Sequence, residues 1–442
     1  MSVAENSLES VTVKKVILKI VPILMLAYFI AFIDRVNIGF AAAEMNADLG
    51  LSTAIYGLGV GVFFVGYFLF EIPSNAALHR FGARVWIARI MITWGIISAC
   101  SALIQGEKSF FLIRFLLGVA EAGFFPGIIY YLSTWLPTRH RAKILGIFYL
   151  AIPLAIVFGS VISSPLLLLD GMLSLRGWQW LFIVEAAPAV IIGAYIFLRM
   201  VDKPEDATWL TQEEKQYISQ TLAEEMRCTV TVEKRNGLSV MMKDRRVLYL
   251  SGIYFCMNFA GVGLVMFLPL IVSGFDPSHK FSGVIAAVPY AVVACLLPFI
   301  GRLSDRFSHN RHLHCIIAAL MVFVGLTLAT TTSNPIIMLT FISIAAIGIY
   351  AFALPFWAYS SGFFSGAYAA VAIAAVNSVG NLSGFLSPYA MGILKDSTNS
   401  FNAALICIAF GPLISAVLFV IFKRKKKQDD GISIGAKISM HY

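Results

Sequence analysis

Twelve apolar segments, each about as long as a membrane-spanning helix, constrain the fold of this chain more than any other feature. A helix crosses a bilayer with about 20 apolar residues. Charged residues make up only 13% of the sequence, whereas soluble domains carry about a quarter, so an ordinary water-soluble globule is excluded. The segments are 17–41, 54–77, 85–105, 110–134, 142–168, 178–199, 247–271, 282–301, 313–332, 335–357, 369–392 and 401–422. We expect an all-α membrane protein of twelve transmembrane helices in two six-helix halves.

A polar, charged stretch separates the sixth span from the seventh, and a run of basic residues follows the twelfth. This pattern predicts four parts of the chain. They are an N-terminal six-helix half at 1–199, a cytoplasmic linker at 200–246, a C-terminal six-helix half at 247–422, and a cytoplasmic basic tail at 423–442.

The distribution of lysine and arginine predicts the orientation. The N-terminus, the loops after spans 2, 4 and 8, and the tail carry eighteen of them, nine in each half of the chain. The opposite loops carry four, namely Lys108, Arg176, Lys280 and Lys395. Because basic loops stay on the cytoplasmic side, both termini are expected in the cytoplasm of a multi-pass inner-membrane protein. The net charge of +9 is therefore explained by topology, and no nucleic-acid partner is expected.

The two halves resemble each other. The basic loop that begins at His79 recurs 226 residues later at Asp305, and the Ser164-Pro165 pair recurs 223 residues later at Ser387-Pro388. Such internal symmetry is typical of secondary transporters whose substrate binds near the membrane midplane, between two repeated halves.

Few charged residues fall within the predicted spans, and all of them belong to the first half. Span 1 carries Asp34 and Arg35, and span 4 carries Arg114 and Glu121. Each charge costs at least ~2.5–3.5 kcal/mol at the bilayer centre, so these residues need partners or a wet cavity. Glu71 in span 2 and Glu185 in span 6 lie near predicted interfaces, and we interpret both as structural.

The spacing of these charges allows spans 1 and 4 to face one cavity. Arg114 and Glu121 are seven residues apart, which places them on one helix face separated by roughly 10 Å. Asp34 and Arg35 are adjacent, so their side chains diverge by about 100°. Arginine binds a carboxylate bidentately, and a buried carboxyl can carry a proton. The alternative is a purely structural charge network.

Several motifs resemble the major facilitator superfamily, and within it the anion:cation symporter branch. The loop Gly301-Arg302-Leu303-Ser304-Asp305-Arg306 matches the superfamily's cytoplasmic loop signature. The branch is indicated by residues 33–37 (IDRVN), 114–118 (RFLLG), 121–127 (EAGFFPG) and 377–381 (NSVGN). The chain is most similar to bacterial permeases for sugar acids, tartrate-like acids and 4-hydroxyphenylacetate.

This resemblance implies proton-coupled symport that imports a small organic anion by alternating access. The implied proton-coupling residues are Asp34 and Glu121. The implied substrate contacts are Arg35, Arg114, Tyr67, Trp357, Asn377 and Asn381. Packing or helix cross-linking would also explain the last four.

The same fold is compatible with other transport functions. An exporter or an uncoupled facilitator of organic acids could use the same fold, although a facilitator would leave Asp34 and Glu121 without a role. An enzyme is not expected, because no histidine lies in the interior of a span and no phosphate-binding loop or HExxH motif is present. We expect no cofactor and no metal, with the proton as coupling ion. The expected partners are a small organic acid and the lipid bilayer, and the expected functional unit is a monomer.

Overall fold

The computed structural model describes residues 3–230, 244–275, 282–306, 310–364 and 366–439. Part of the predicted linker, at 231–243, and the loop at 276–281 that contains Lys280 lie outside the described residues. Regular structure within the described ranges is entirely helical, as predicted.

The first half folds into seven helices, because the fourth predicted span is divided in two. The helices are α1 (Val3–Leu49), α2 (Thr53–Phe81), α3 (Ala83–Ala99), α4 (Glu107–Glu121), α5 (Phe124–Ser133), α6 (Thr138–Leu167) and α7 (Gly177–Arg199). The predicted linker contains a further helix, α8 (Gln212–Val230), which contacts α1.

The second half also contains a divided span. Its helices are α9 (Arg245–Ser273), α10 (Ser282–Arg306), α11 (Arg311–Ala329), α12 (Pro335–Ser361), α13 (Gly366–Asn381), α14 (Ser383–Thr398) and α15 (Phe401–Ser439). The final helix extends beyond the predicted span into the basic tail.

Eleven helical segments of the described chain are long and apolar enough to cross a membrane, with α4 and α5 counted together as one segment of 27 residues. The predicted span at 369–392 is the exception. It is divided at Leu382 into α13 and α14, each of 16 residues, so neither part alone has the required length. Together the pair completes the predicted set of twelve.

Local sequence explains where several helices begin. The hydroxyl of Ser52 accepts a hydrogen bond from the Ile55 amide at the start of α2 (3.2 Å). Asn334 accepts hydrogen bonds from two amides at the start of α12, which opens with Pro335. Such caps satisfy amide groups that have no partner inside the helix.

Within the described residues the two halves meet mainly along three pairs of helices, namely α1 with α9, α2 with α14, and α6 with α10. The approach is closest where α2 begins. A Cβ atom at Gly57 would lie 2.2 Å from the carbonyl oxygen of Pro388, so only glycine allows this contact. A central cavity lies between the halves.

Candidate substrate-binding site

The central cavity has a volume of about 230 Å³ and is lined by both halves of the protein. Aromatic and aliphatic side chains form most of its wall. The ionisable and amide side chains in the lining are Arg35 and Glu121, with Tyr28, Tyr67, Tyr254, Tyr350, Asn258, Asn377 and Asn381. Such an apolar cavity with a few convergent polar groups is typical of a small-molecule site.

Arg35 on α1 forms an ion pair with Glu121 on α4 inside this cavity. The Glu121 side chain is only 3% exposed, whereas the Arg35 side chain is 22% exposed. Aromatic rings surround the guanidinium, with the ring centroids of Phe32, Phe63 and Tyr67 at 5.1, 5.5 and 5.6 Å from its central carbon. Within the described residues Glu121 is the one acceptor for Arg35, so the guanidinium retains donors for a second anion.

Asp34 points away from the cavity, on the side of α1 that faces α3. Its carboxylate accepts hydrogen bonds from the Trp94 indole (2.7 Å), the Ser98 hydroxyl and the Asn37 amide (3.1 Å). The adjacent side chains of Asp34 and Arg35 therefore diverge, as the helical geometry predicts. Asp34 and Glu121 do not share one site.

Arg114 is also buried and lies outside the cavity lining. Its guanidinium carbon lies 5.0 Å from the Phe63 ring centroid. No ion pair of Arg114 is present among the described residues. Phe63 lines the cavity and separates Arg114 from it. The predicted contact of Arg114 with a substrate anion is therefore not visible in this arrangement.

A helix break follows Glu121, which the spacing of Arg114 and Glu121 did not predict. Ala122 has extended backbone angles (φ −55°, ψ 133°), and Gly123 adopts φ +83°, a left-handed conformation that favours glycine. The Ser74 hydroxyl donates a hydrogen bond to the Ala122 carbonyl (2.6 Å) and accepts one from the Trp86 indole (3.0 Å). Glu121 is consequently the last residue of α4, beside an interruption in the span.

In the second half, Asn377 and Asn381 line the cavity but Trp357 does not. Trp357 lies behind the lining residue Tyr254, with ring centroids 4.9 Å apart. Asn258 lines the cavity as well. Sequence reasoning missed Asn258, and its one available signal was a lone amide within an otherwise apolar span.

Comparison with known proteins identifies the family. Residues 24–388 match the model of the Major Facilitator Superfamily. The chain belongs to the major facilitator superfamily. The resemblance of its motifs to this superfamily is thereby confirmed, and it is a membrane transporter rather than an enzyme.

Individual relatives extend over nearly the whole chain. A putative tartrate transporter of Agrobacterium vitis is 46% identical, over 96% of this chain and 93% of the relative. A quinolone resistance transporter of Acinetobacter baumannii is 38% identical, over 95% of this chain and 98% of the relative. The crystal structure of a bacterial homologue of the human lysosomal transporter Spinster has the same fold, with a TM-score of 0.75 at 18% identity over 92% and 96% of the two chains.

Glu71 and Glu185, the two other acidic residues that the sequence places within the spans of this major facilitator protein, lie outside the cavity lining. Glu71 on α2 accepts a hydrogen bond from Ser378 on α13 (3.4 Å), across the two halves. Glu185 on α7 accepts one from Ser163 on α6 (2.6 Å). Both contacts join helices, which is consistent with the structural interpretation. Within the described ranges, no group of three His, Cys, Asp or Glu residues lies close enough to bind a metal ion.

Proposed function

We propose that this protein is a proton-coupled symporter that imports a small organic carboxylate by alternating access. The ion pair of Arg35 and Glu121, inside a cavity lined by both halves, carries this proposal. Among the described residues, the cavity lining contains one cation and one carboxyl, so the charge state of the carboxyl decides whether the cation is available.

The coupling follows from that competition. While Glu121 is ionised it occupies Arg35. Protonation of Glu121 removes its negative charge, and the guanidinium can then bind a substrate carboxylate with planar, paired hydrogen bonds. Substrate binding and protonation favour each other, and this linkage is reciprocal.

Asp34 is the second proposed proton-coupling residue, acting from outside the cavity. Its three hydrogen-bond donors lie on α1 and α3, so its protonation state bears on the packing between these two helices. Arg114 serves as a buried positive charge within the same helical half. Tyr67, Asn377 and Asn381 supply hydrogen bonds to the substrate, and Trp357 positions Tyr254 in the cavity wall.

The relatives named putative tartrate transporters favour an organic acid as the substrate. By the positive-inside rule, both termini lie in the cytoplasm and the protein resides in the inner membrane. We take the functional unit as a monomer, because the cavity lies within one chain.

Purified protein in liposomes tests the coupling, with tartrate as the first probe. Glu121→Gln and Asp34→Asn mimic protonated acids, so both variants should still exchange labelled for unlabelled substrate across the membrane. Both should fail to accumulate substrate when a pH gradient is applied. Glu185→Gln is the matched control, because it neutralises a buried carboxyl outside the cavity lining and should leave accumulation intact.

Accumulation by both Glu121→Gln and Asp34→Asn at the wild-type level would contradict the coupling proposal. The structural charge network would then be the better interpretation.

Export of organic acids is the second candidate, and the relative named quinolone resistance transporter favours it. An uncoupled facilitator is the third. The same liposomes distinguish them: an uncoupled facilitator equilibrates substrate without responding to the pH gradient, whereas an exporter accumulates substrate with the opposite gradient.

A further inference from the structure

We propose that the second half of the cavity contains a subsite that accepts a hydroxyl hydrogen of the substrate, with the side-chain oxygen of Asn258 as the acceptor. Asn258 thereby selects a hydroxylated acid over its deoxy analogue. This inference rests on the proposed function, because it assumes that Arg35 binds the substrate carboxylate.

The two halves contribute different chemistry to the cavity. The charged lining residues, Arg35 and Glu121, both come from the first half. The second half contributes tyrosines and the amides of Asn258, Asn377 and Asn381, and none of its lining residues is charged. A substrate that spans the cavity thus meets a cation at one end and neutral hydrogen-bonding groups at the other.

Hydrogen bonding fixes the orientation of the Asn258 amide. Its Nδ2 donates to the carbonyl oxygen of Gly380 (3.2 Å) and to the hydroxyl oxygen of Ser383 (3.1 Å). The Ser383 hydroxyl hydrogen is itself donated to the Gly380 carbonyl (2.6 Å). Neither partner can therefore donate to Asn258, and reversal of the amide would place two acceptors against its oxygen.

The orientation leaves the Asn258 Oδ1 atom as the free end of the amide. No group in the described part of the chain donates a hydrogen bond to it. It lies 3.9 Å from the position that a Cβ of Gly261 would take, and Gly261 lines the same cavity. A polar acceptor at the wall of an apolar cavity favours a ligand that carries a donor hydrogen.

A hydroxyl group fits this acceptor better than an ammonium group. The described residues of the second half place no carboxylate in the cavity lining, so an ammonium bound there would be desolvated without a counter-charge. A neutral hydroxyl satisfies Oδ1 at no such cost. Asn377 and Asn381, whose amides offer both donors and acceptors, can bind the hydroxyl oxygen or further hydroxyls.

Two sets of acids test the inference by competition binding to purified protein. Tartrate, malate and succinate keep two carboxylates and lose one hydroxyl at a time, and 4-hydroxyphenylacetate and phenylacetate differ by one hydroxyl. In the wild-type protein we expect the hydroxylated member of the set that binds to exceed its deoxy analogue in affinity by at least about tenfold, since an acceptor that the deoxy analogue covers and leaves unpaired is costly.

Asn258→Leu removes the acceptor with little change in volume and should reduce that ratio to near one. Ser415→Ala is the matched control. It removes another buried hydrogen bond to α9, from the Ser415 hydroxyl to the Ile253 carbonyl (3.0 Å), outside the cavity lining. The control should keep the wild-type ratio even if it lowers thermal stability.

Equal binding of hydroxylated and deoxy acids by the wild-type protein would overturn the inference, and so would an unchanged ratio in Asn258→Leu. If the leucine variant does not fold, the affinity ratio of hydroxylated to deoxy acid is compared between Asn258→Ala and the wild-type protein instead. The failure of the proposed function has a different signature: no acid in either set would bind, or binding would not depend on Arg35.

Discussion

Adjacent residues with opposite charge have separate environments in this protein. Arg35 faces the central cavity and pairs with Glu121, whereas Asp34 faces α3 and accepts hydrogen bonds from Trp94 and Ser98. The helical periodicity that separates consecutive side chains by about 100° accounts for this divergence. One residue can therefore contact a substrate while its neighbour contacts the scaffold.

We expect Arg35→Lys to lower substrate affinity at least about tenfold although the charge is kept. An ammonium group cannot reproduce the planar, two-pronged hydrogen bonding of a guanidinium with a carboxylate. Competition binding measures the change. Arg246→Lys is the control, since Arg246 is exposed and pairs with Asp244 at the start of α9. Wild-type affinity in Arg35→Lys would mean that the carboxylate is bound elsewhere.

At the scale of elements, the break between α4 and α5 determines where Glu121 lies. It depends on a glycine whose φ is +83° and whose Cβ position lies 2.4 Å from the Ser74 hydroxyl oxygen. The Ser74 hydroxyl, on α2, donates a hydrogen bond to the backbone carbonyl of Ala122 at the interruption, and the Trp86 indole, on α3, donates one to that hydroxyl.

Gly123→Ala should therefore destabilise the protein more than its backbone conformation alone explains. Gly171→Ala is the matched control, because Gly171 has φ +82° and no atom within 4 Å of its Cβ position. The control should cost about 1–2 kcal/mol, from the left-handed backbone. Gly123→Ala should cost a further ~1–3 kcal/mol from the steric clash. Thermal denaturation in detergent compares the two, and equal melting temperatures would contradict this account of the break.

A second element-scale contact joins the halves where α2 begins. The Asp396 carboxylate, on α14, accepts hydrogen bonds from the amides of Thr53 (3.2 Å) and Ala54 (2.7 Å), so it caps a helix of the other half. We expect Asp396→Ala to weaken this contact between the halves by about 1 kcal/mol, a typical value for a lost helix cap.

The population of molecules in which the two halves are separated where α2 begins should then rise about fivefold. Electron–electron distance measurements between spin labels at exposed Ala47 and Ser397 would detect the change. Asp170→Ala is the control, since Asp170 accepts a hydrogen bond from Gly177 within the first half. An equal response of both variants would show that the cap does not hold the halves together.

At the scale of the whole molecule, charge is divided unequally between two halves of similar helical architecture. The charged side chains on α1 and α4 that the sequence places within the membrane, Asp34, Arg35, Arg114 and Glu121, all belong to the first half. The second half lines the cavity with neutral groups. Proton binding and carboxylate binding are therefore expected to depend on the first half, while the second half contributes neutral contacts and movement.

We expect the methyl ester or amide of a transported acid to compete poorly with the acid itself. Both derivatives keep the shape of the substrate and lose the negative charge that pairs with Arg35. Competition binding with tartrate and its diamide measures this at constant pH. Equal competition by the diamide would contradict carboxylate recognition by the cavity.

The sequence by itself determined the fold class and the residues that carry charge in the membrane. Spans of about 20 apolar residues leave few alternatives to a helical membrane protein, and a charge within a span is costly enough to be conspicuous. The spacing of Asp34 and Arg35 also determined that they diverge. These are properties of single helices, which local sequence controls.

Tertiary structure alone decided which of those residues meet. It paired Arg35 with Glu121, placed Arg114 and Trp357 outside the cavity lining, and brought Asn258 into it. It also divided two spans, at Gly123 and at Leu382. The rotation of each helix about its axis depends on packing against distant helices, as the contact of Gly123 with Ser74 illustrates. No periodicity within one span contains that information.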